Sequence, residues 1–296
     1  LSEAGPRERW TVLGLILWSG RYLTEKGVEQ GRLDAEHLLA HALGVGRLQL
    51  YLQHDRPLGP EELSAFKPLL RRRASREPLQ YILGRVGFRE LELRADRRGL
   101  IPRPETEVLV DVVLAWARKR AASGARLRGA DVGTGTGCIA LSLAMEGPFD
   151  RVIATDRSDA ALELAAENAR DAGLEDKVEF RLGSFLEPLA GERLDALVSN
   201  PPYVADADRA GLQAEVRDWE PEAALFAGPD GLTMIRNLVS GAAALLLPGG
   251  ILALEVGAGQ ARPVAELVQA TGAFDPPRIH RDLAGHERIV TATLGA

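Results

Sequence analysis

The feature that most constrains this chain is an apolar run stopped by two prolines. Leu194-Asp195-Ala196-Leu197-Val198-Ser199 has the alternation and β-branching of a buried parallel strand, and Asn200-Pro201-Pro202-Tyr203 follows it directly. Each proline lacks an N–H and fixes φ, so the ladder ends there and Asn200 is held at the strand's carboxyl end. In open α/β sheets that end is where ligands bind. Asn200 offers a side-chain carbonyl, Pro201 a backbone carbonyl and Tyr203 a flat face, which together suit a planar group bearing an NH2.

A second stretch lies upstream. Asp131-Val132-Gly133-Thr134-Gly135-Thr136-Gly137 leads into the helical Cys138–Ala144. Glycines at these positions allow a sharp strand-to-helix turn and a close approach to a ligand. The spacing is G-x-G-x-G without lysine, unlike the dinucleotide fingerprint or the phosphate loop. Arg151-Val152-Ile153-Ala154-Thr155-Asp156 then reads as a strand ending in an acid, where a carboxylate can accept both hydroxyls of a ribose. Gly183-Ser184-Phe185 closes the next strand, 178–182, and Phe185 is placed either to stack on an adenine ring or to pack in the core. Helices are expected at 159–172, 231–247 and 260–270, a strand at 251–256, and a final hairpin at 278–282 and 288–294. This alternation predicts a doubly wound α/β sheet closed at one edge by an antiparallel pair.

The N-terminal part is different. Residues 7–26, 33–43 and a segment from Pro60 into Arg71-Arg72-Arg73 read as helices, the arginines as a solvated face. His37 and His41 are spaced for one helix face, but Leu38 stands where a zinc-protease motif needs Glu, so no metal site is expected. Tyr81 to Leu93 alternates as a β-hairpin linker, and Ile101-Pro102-Arg103-Pro104-Glu105-Thr106-Glu107 forms an elbow leading into a helix that starts at Glu105 or Thr106 and runs through Ala117. The expected domains are 1–77 (helical), 78–99 (linker) and 100–296. Residues 204–229 are expected to form a loop facing the substrate. A net charge of −6 argues against an obligate grip on nucleic acid, and the lone Cys138 fits a reducing cytoplasm, where it serves as a small packing residue. The patch Val12–Trp18 is too short for a signal peptide, and Pro248-Gly249-Gly250 interrupts the apolar stretch 238–256, so no membrane span is expected.

Together the G-x-G-x-G loop, Asp156 and Asn200-Pro201-Pro202-Tyr203 resemble the class I S-adenosylmethionine methyltransferases. Within them the chain resembles the release-factor glutamine N5-methyltransferases (PrmC/HemK). The likeness also runs through Asp34–His41, Pro78–Gly84, Leu100–Glu107 and Asp282–Arg288. It implies a mostly parallel seven-stranded sheet with a small N-terminal helical domain. It also implies methyl transfer from S-adenosyl-L-methionine, leaving S-adenosyl-L-homocysteine, to the glutamine amide of a Gly-Gly-Gln tripeptide in peptide chain release factors. Asn200, Pro201, Pro202 and Tyr203 would be catalytic. Gly133, Thr134, Gly135, Thr136, Gly137, Asp156 and Phe185, with Asn200, would hold the cofactor, and the helical domain would dock the protein substrate. Ser184 stands where such enzymes often place an acid, leaving adenine to Phe185 and backbone groups. The protein is expected to be a cytoplasmic monomer, independent of metal and membrane. The competing readings are methylation of an exocyclic amine in DNA or RNA, a nicotinamide oxidoreductase and a non-catalytic cofactor-binding module.

Overall fold

The computed structural model describes residues 10–295, which form two compact units. The first runs through Gly84 and takes in Gln213–Trp219. Its helices are α1 (Val12–Glu25), α2 (Gly31–Leu43), α3 (Arg47–Leu52), α4 (Pro60–Ala74) and α5 (Leu79–Leu83), joined by Ala214–Trp219, α9 in chain order. Thr11 caps α1 by accepting from the N–H of Gly14, while positions 7–9 of the expected first helix lie outside the described residues. Helices α1 and α2 meet through Gly20 and Gly31, where a Cβ on Gly31 would stand 2.5 Å from the Gly20 carbonyl. Leu15, Leu23, Leu38, Leu39, Phe66 and Leu70 fill the core, each contributing about 1.5–3 kcal/mol by burial.

Two expectations fail in this unit. Tyr81-Ile82-Leu83 is one helical turn and not part of a hairpin: Pro78 precedes α5 and Gly84 ends it at φ 74°. The arginine run is not uniformly solvated either. Arg73 follows Phe66 and Leu70 on the inward stripe of α4 and is buried, donating to Asp34 at 2.7 Å and to Glu215 at 2.9 Å. Arg76 also binds Glu215.

The second unit covers 85–212 and the chain from Glu220. It begins with a hairpin, β1 (Arg85–Phe88) and β2 (Leu91–Arg94), followed by α6 (Pro104–Arg120). Then come β3 (Leu127–Val132), α7 (Cys138–Glu146), β4 (Phe149–Asp156), α8 (Asp159–Ala172), β5 (Val178–Leu182) and β6 (Leu194–Ser199). After the segment through α9 follow α10 (Thr233–Leu245), β7 (Leu246–Glu255), α11 (Ala261–Ala270), β8 (Arg278–Arg281) and β9 (Glu287–Thr293).

The seven strands run in the order β5-β4-β3-β6-β7-β9-β8, parallel through β7 and antiparallel at β9 and β8. One apolar layer joins α6 and α7 to one face of the sheet, and a second joins α10 and α11 to the other. The order reverses between β3 and β6, so their carboxyl ends flank the crevice where ligands bind in such sheets. The Ser199 hydroxyl donates to the Val132 carbonyl at 2.6 Å and ties the two ends together. Residues 204–229 are less open than expected: they contain α9 and short 3₁₀ turns at Asp206–Gly211 and Glu222–Ala224. Cys138 is buried, as expected, and burial pushes its thiol up to about 12, which makes it inert at neutral pH.

Candidate active site at the carboxyl ends of β3, β4 and β6

A cleft opens at this crevice. Gly133, Gly135, Asp156, Phe185, Asn200 and Pro202 all line it, bringing together residues that are up to 69 positions apart in sequence. Gly133 and Gly135 have φ of 75° and 55°, and a Cβ at either would meet no protein atom within 4 Å. Both therefore combine a left-handed backbone with an open approach to a ligand. Asp156 braces the loop, its Oδ2 accepting from Gly135 N at 3.0 Å and its Oδ1 from Ser158 N at 2.9 Å. A carboxylate has about four lone-pair sites, so acceptor capacity remains for two hydroxyls. Phe185 is half-buried in the cleft wall beside Ser184, at a φ of 52° that a bulky residue rarely adopts.

The other expected site residues are not among those lining the cleft. Thr134 is buried and its hydroxyl donates to Asp131 Oδ2 at 2.6 Å. Thr136 is buried, with its carbonyl accepting from Asn168. Gly137 starts α7 at φ 83° and packs against Ala165. Pro201 is buried. Tyr203 is held by Gln260, whose Nε2 donates to the Tyr203 carbonyl at 3.0 Å, and burial raises its phenol above the ordinary range.

Four further residues shape the site that had no individual site role assigned from the sequence, although Thr106 and Asp131 lie in stretches it marked. Thr106 donates to Glu255 Oε2 at 2.7 Å and accepts from Asn200 Nδ2 at 3.0 Å. Glu255, at the end of β7, is pushed up to about 7 by burial, against the opposing pull of the Thr106 hydroxyl. Asp131, fully buried at the end of β3, is likewise pushed up to about 7 by burial. Gln260 is the fourth. The available signal was an acid at or next to the carboxyl end of a mostly apolar strand, as with Asp131 and Glu255. Among the described residues, no group of His, Cys, Asp and Glu is arranged to hold a metal ion, and no helix is long and apolar enough to cross a membrane.

Residues 15–84 match the PrmC N-terminal domain and residues 110–216 the methyltransferase small domain. The release factor glutamine methyltransferase of Geobacter sulfurreducens is 45% identical over 288 residues, covering 97% of this chain and 98% of that one. Its counterpart in Moorella thermoacetica is 46% identical over 272 residues, covering 92% and 94%. A methyltransferase structure from Pyrococcus furiosus shares the fold, with a TM-score of 0.52 at 16% identity over 71% of this chain and 92% of that one.

Proposed function

The chain belongs to the release factor glutamine methyltransferase family, and from that premise we propose that Asn200-Pro201-Pro202-Tyr203 grips the reacting glutamine while the glycine loop and Asp156 hold the methyl donor. The enzyme transfers a methyl group from S-adenosyl-L-methionine to the side-chain amide nitrogen of a glutamine in peptide chain release factors, leaving S-adenosyl-L-homocysteine. The residues fit that donor: the left-handed, open glycines admit its methionine part, Asp156 has acceptor capacity for the ribose, and Phe185 offers a face to adenine.

An amide nitrogen is a poor nucleophile because its lone pair is delocalised into the carbonyl. The sulfonium of the donor supplies an activated methyl. The Asn200 side-chain oxygen and the Pro201 carbonyl accept the two N–H bonds of the substrate amide, orient its nitrogen and favour the positive charge that develops there. Tyr203 packs against the amide plane. The methylated nitrogen is cationic and its proton acidic, so it is lost to solvent water and no strong base is needed. The target is the glutamine of Gly-Gly-Gln, the helical unit docks the release factor, and the enzyme acts as a cytoplasmic monomer.

The observation that carries this reading is that Asn200 and Pro202 share one cleft with Gly133, Gly135 and Asp156. Mass spectrometry of a release factor incubated with the protein and labelled S-adenosylmethionine tests it. One methyl on the Gly-Gly-Gln glutamine is expected, and none with Asn200→Ala. Label entering DNA or ribosomal RNA instead would overturn it.

A further inference from the structure

Asn200 is gripped from behind by two residues that do not line the cleft. Thr106 and Glu255 are each 1% exposed. Their polar atoms form a chain, with Asn200 Nδ2 3.0 Å from Thr106 Oγ1 and Thr106 Oγ1 2.7 Å from Glu255 Oε2. The chemistry of the three groups gives the chain a direction. In its ionised form, which prevails above about pH 7, Glu255 is an acceptor only, so the single hydroxyl proton of Thr106 goes to it. The Thr106 oxygen is then left as an acceptor, and only the NH2 end of the Asn200 amide can satisfy it. The amide carbonyl is thereby turned away from Thr106.

We propose that Thr106 and Glu255 are positioning residues for methyl transfer, a buried carboxylate–hydroxyl relay that sets the Asn200 amide with its carbonyl oxygen toward the substrate NH2. This deepens the functional reading above and rests on Asn200 being the substrate grip. An Asn amide has two nearly isosteric orientations, and the flipped one presents N–H groups to the N–H groups of the substrate. Nothing in Asn200-Pro201-Pro202-Tyr203 itself selects between them. The selection comes from Thr106 on α6 and Glu255 on β7, on two elements distant in sequence.

The test compares Thr106→Val, Thr106→Ser and Glu255→Gln with the wild type at about pH 8.5, where Glu255 is ionised, using a purified release factor as substrate. Thr106→Val keeps the shape and removes the hydroxyl. Its kcat is expected to fall about 10–100-fold, the scale of a lost orienting contact, with KM for the release factor changing less. Affinity for S-adenosylhomocysteine, read by calorimetry, stays within about twofold because neither residue lines the cleft. Thr106→Ser, which retains the hydroxyl, keeps kcat near wild type. Glu255→Gln, able to present either a donor or an acceptor to Thr106, loses kcat without losing cofactor affinity and serves should the valine variant unfold. Wild-type kcat in Thr106→Val or Glu255→Gln overturns the proposal, as does a serine variant as slow as the valine one. A wild-type protein that leaves the glutamine unmethylated overturns the functional reading, and the relay with it.

Discussion

Arg103 donates to Glu220 at 2.6 Å, joining the residue just before α6 to the segment whose next residue, Pro221, lines the cleft. The Glu220 side chain is 1% exposed and that of Arg103 is 31%, so the carboxylate depends on this guanidinium for its charge. Burial raises the Glu220 carboxyl above the ordinary range, and the Arg103 charge opposes the rise. Arg103→Ala is expected to destabilise the enzyme by about 2–3 kcal/mol at pH 8, less than the loss of a fully buried partner because Arg103 is part-exposed. The deficit should shrink at pH 5, where Glu220 can accept a proton, and Glu220→Gln should cost less than Arg103→Ala at pH 8. Denaturant midpoints at the two pH values decide this, and an equal deficit at both would show that Glu220 charge is not the cause.

Asn168 joins three segments. Its Oδ1 accepts from Arg94 N at 2.7 Å, and its Nδ2 donates to Thr136 O at 2.9 Å and Arg94 O at 3.3 Å. The residue is buried, so Asn168→Ala strands backbone groups of both β2 and the glycine loop. With each unsatisfied buried group costing about 1–3 kcal/mol, a loss of roughly 2–4 kcal/mol in unfolding free energy is expected. Asn168→Asp should be no better, because an oxygen would then face two carbonyls. Stability of Asn168→Ala within error of wild type would rule out a bracing role.

Much of the catalytic unit was legible because its signals are local. Two prolines stop β6 wherever the strand lies, glycines mark the β3–α7 turn, and an acid marks the end of β4. The helical turn of α5 was misread because Tyr81-Ile82-Leu83 looks like a strand, whereas Pro78 before it and Gly84 after it bracket a single turn of helix. Arg73 was hidden by its neighbours: the helical period from Phe66 and Leu70 places it inward, but its partner Glu215 lies 142 residues away. The Thr106–Glu255 bond spans 149 residues and depends on the packing of α6 against the end of β7. Periodicity cannot supply such pairings.

Two glycines of the loop should fail in different ways. Gly137 has φ 83°, and a Cβ there would stand 3.2 Å from Ala165 Cβ and Leu141 Cδ1, so Gly137→Ala combines backbone strain with crowding. A loss of about 1–3 kcal/mol is expected. Gly135→Ala meets no protein atom within 4 Å, but Gly135 lines the cleft, so the new methyl takes ligand space. Calorimetry with S-adenosylhomocysteine should find its affinity reduced at least about tenfold, beyond what its smaller change in melting temperature explains. Equal affinities in Gly135→Ala and wild type would mean the donor does not approach this turn.

Asp131 gives the enzyme a pH dependence of predictable sign. Burial is the largest influence on its carboxyl, pushing it up to about 7, while the Thr134 hydroxyl and the Ala140 N–H oppose the rise. In the unfolded chain an aspartate releases its proton near pH ~4. Between about pH 4 and 7 the folded state therefore holds a proton that the unfolded state has lost, so this group's contribution to stability falls as pH rises and levels off above about 7. Asp131→Asn removes the titration while keeping a side-chain oxygen for Thr134 and Ala140. Each pH step of one in that window is worth about 1.4 kcal/mol, so relative to wild type the variant should gain roughly 2–4 kcal/mol in unfolding free energy from about pH 4.5 to pH 8. Many other carboxylates titrate over the lower part of this range, so the informative quantity is the difference between the two proteins in urea at each pH. Curves that run parallel would mean that Asp131 is ionised throughout this range and that burial does not raise its carboxyl.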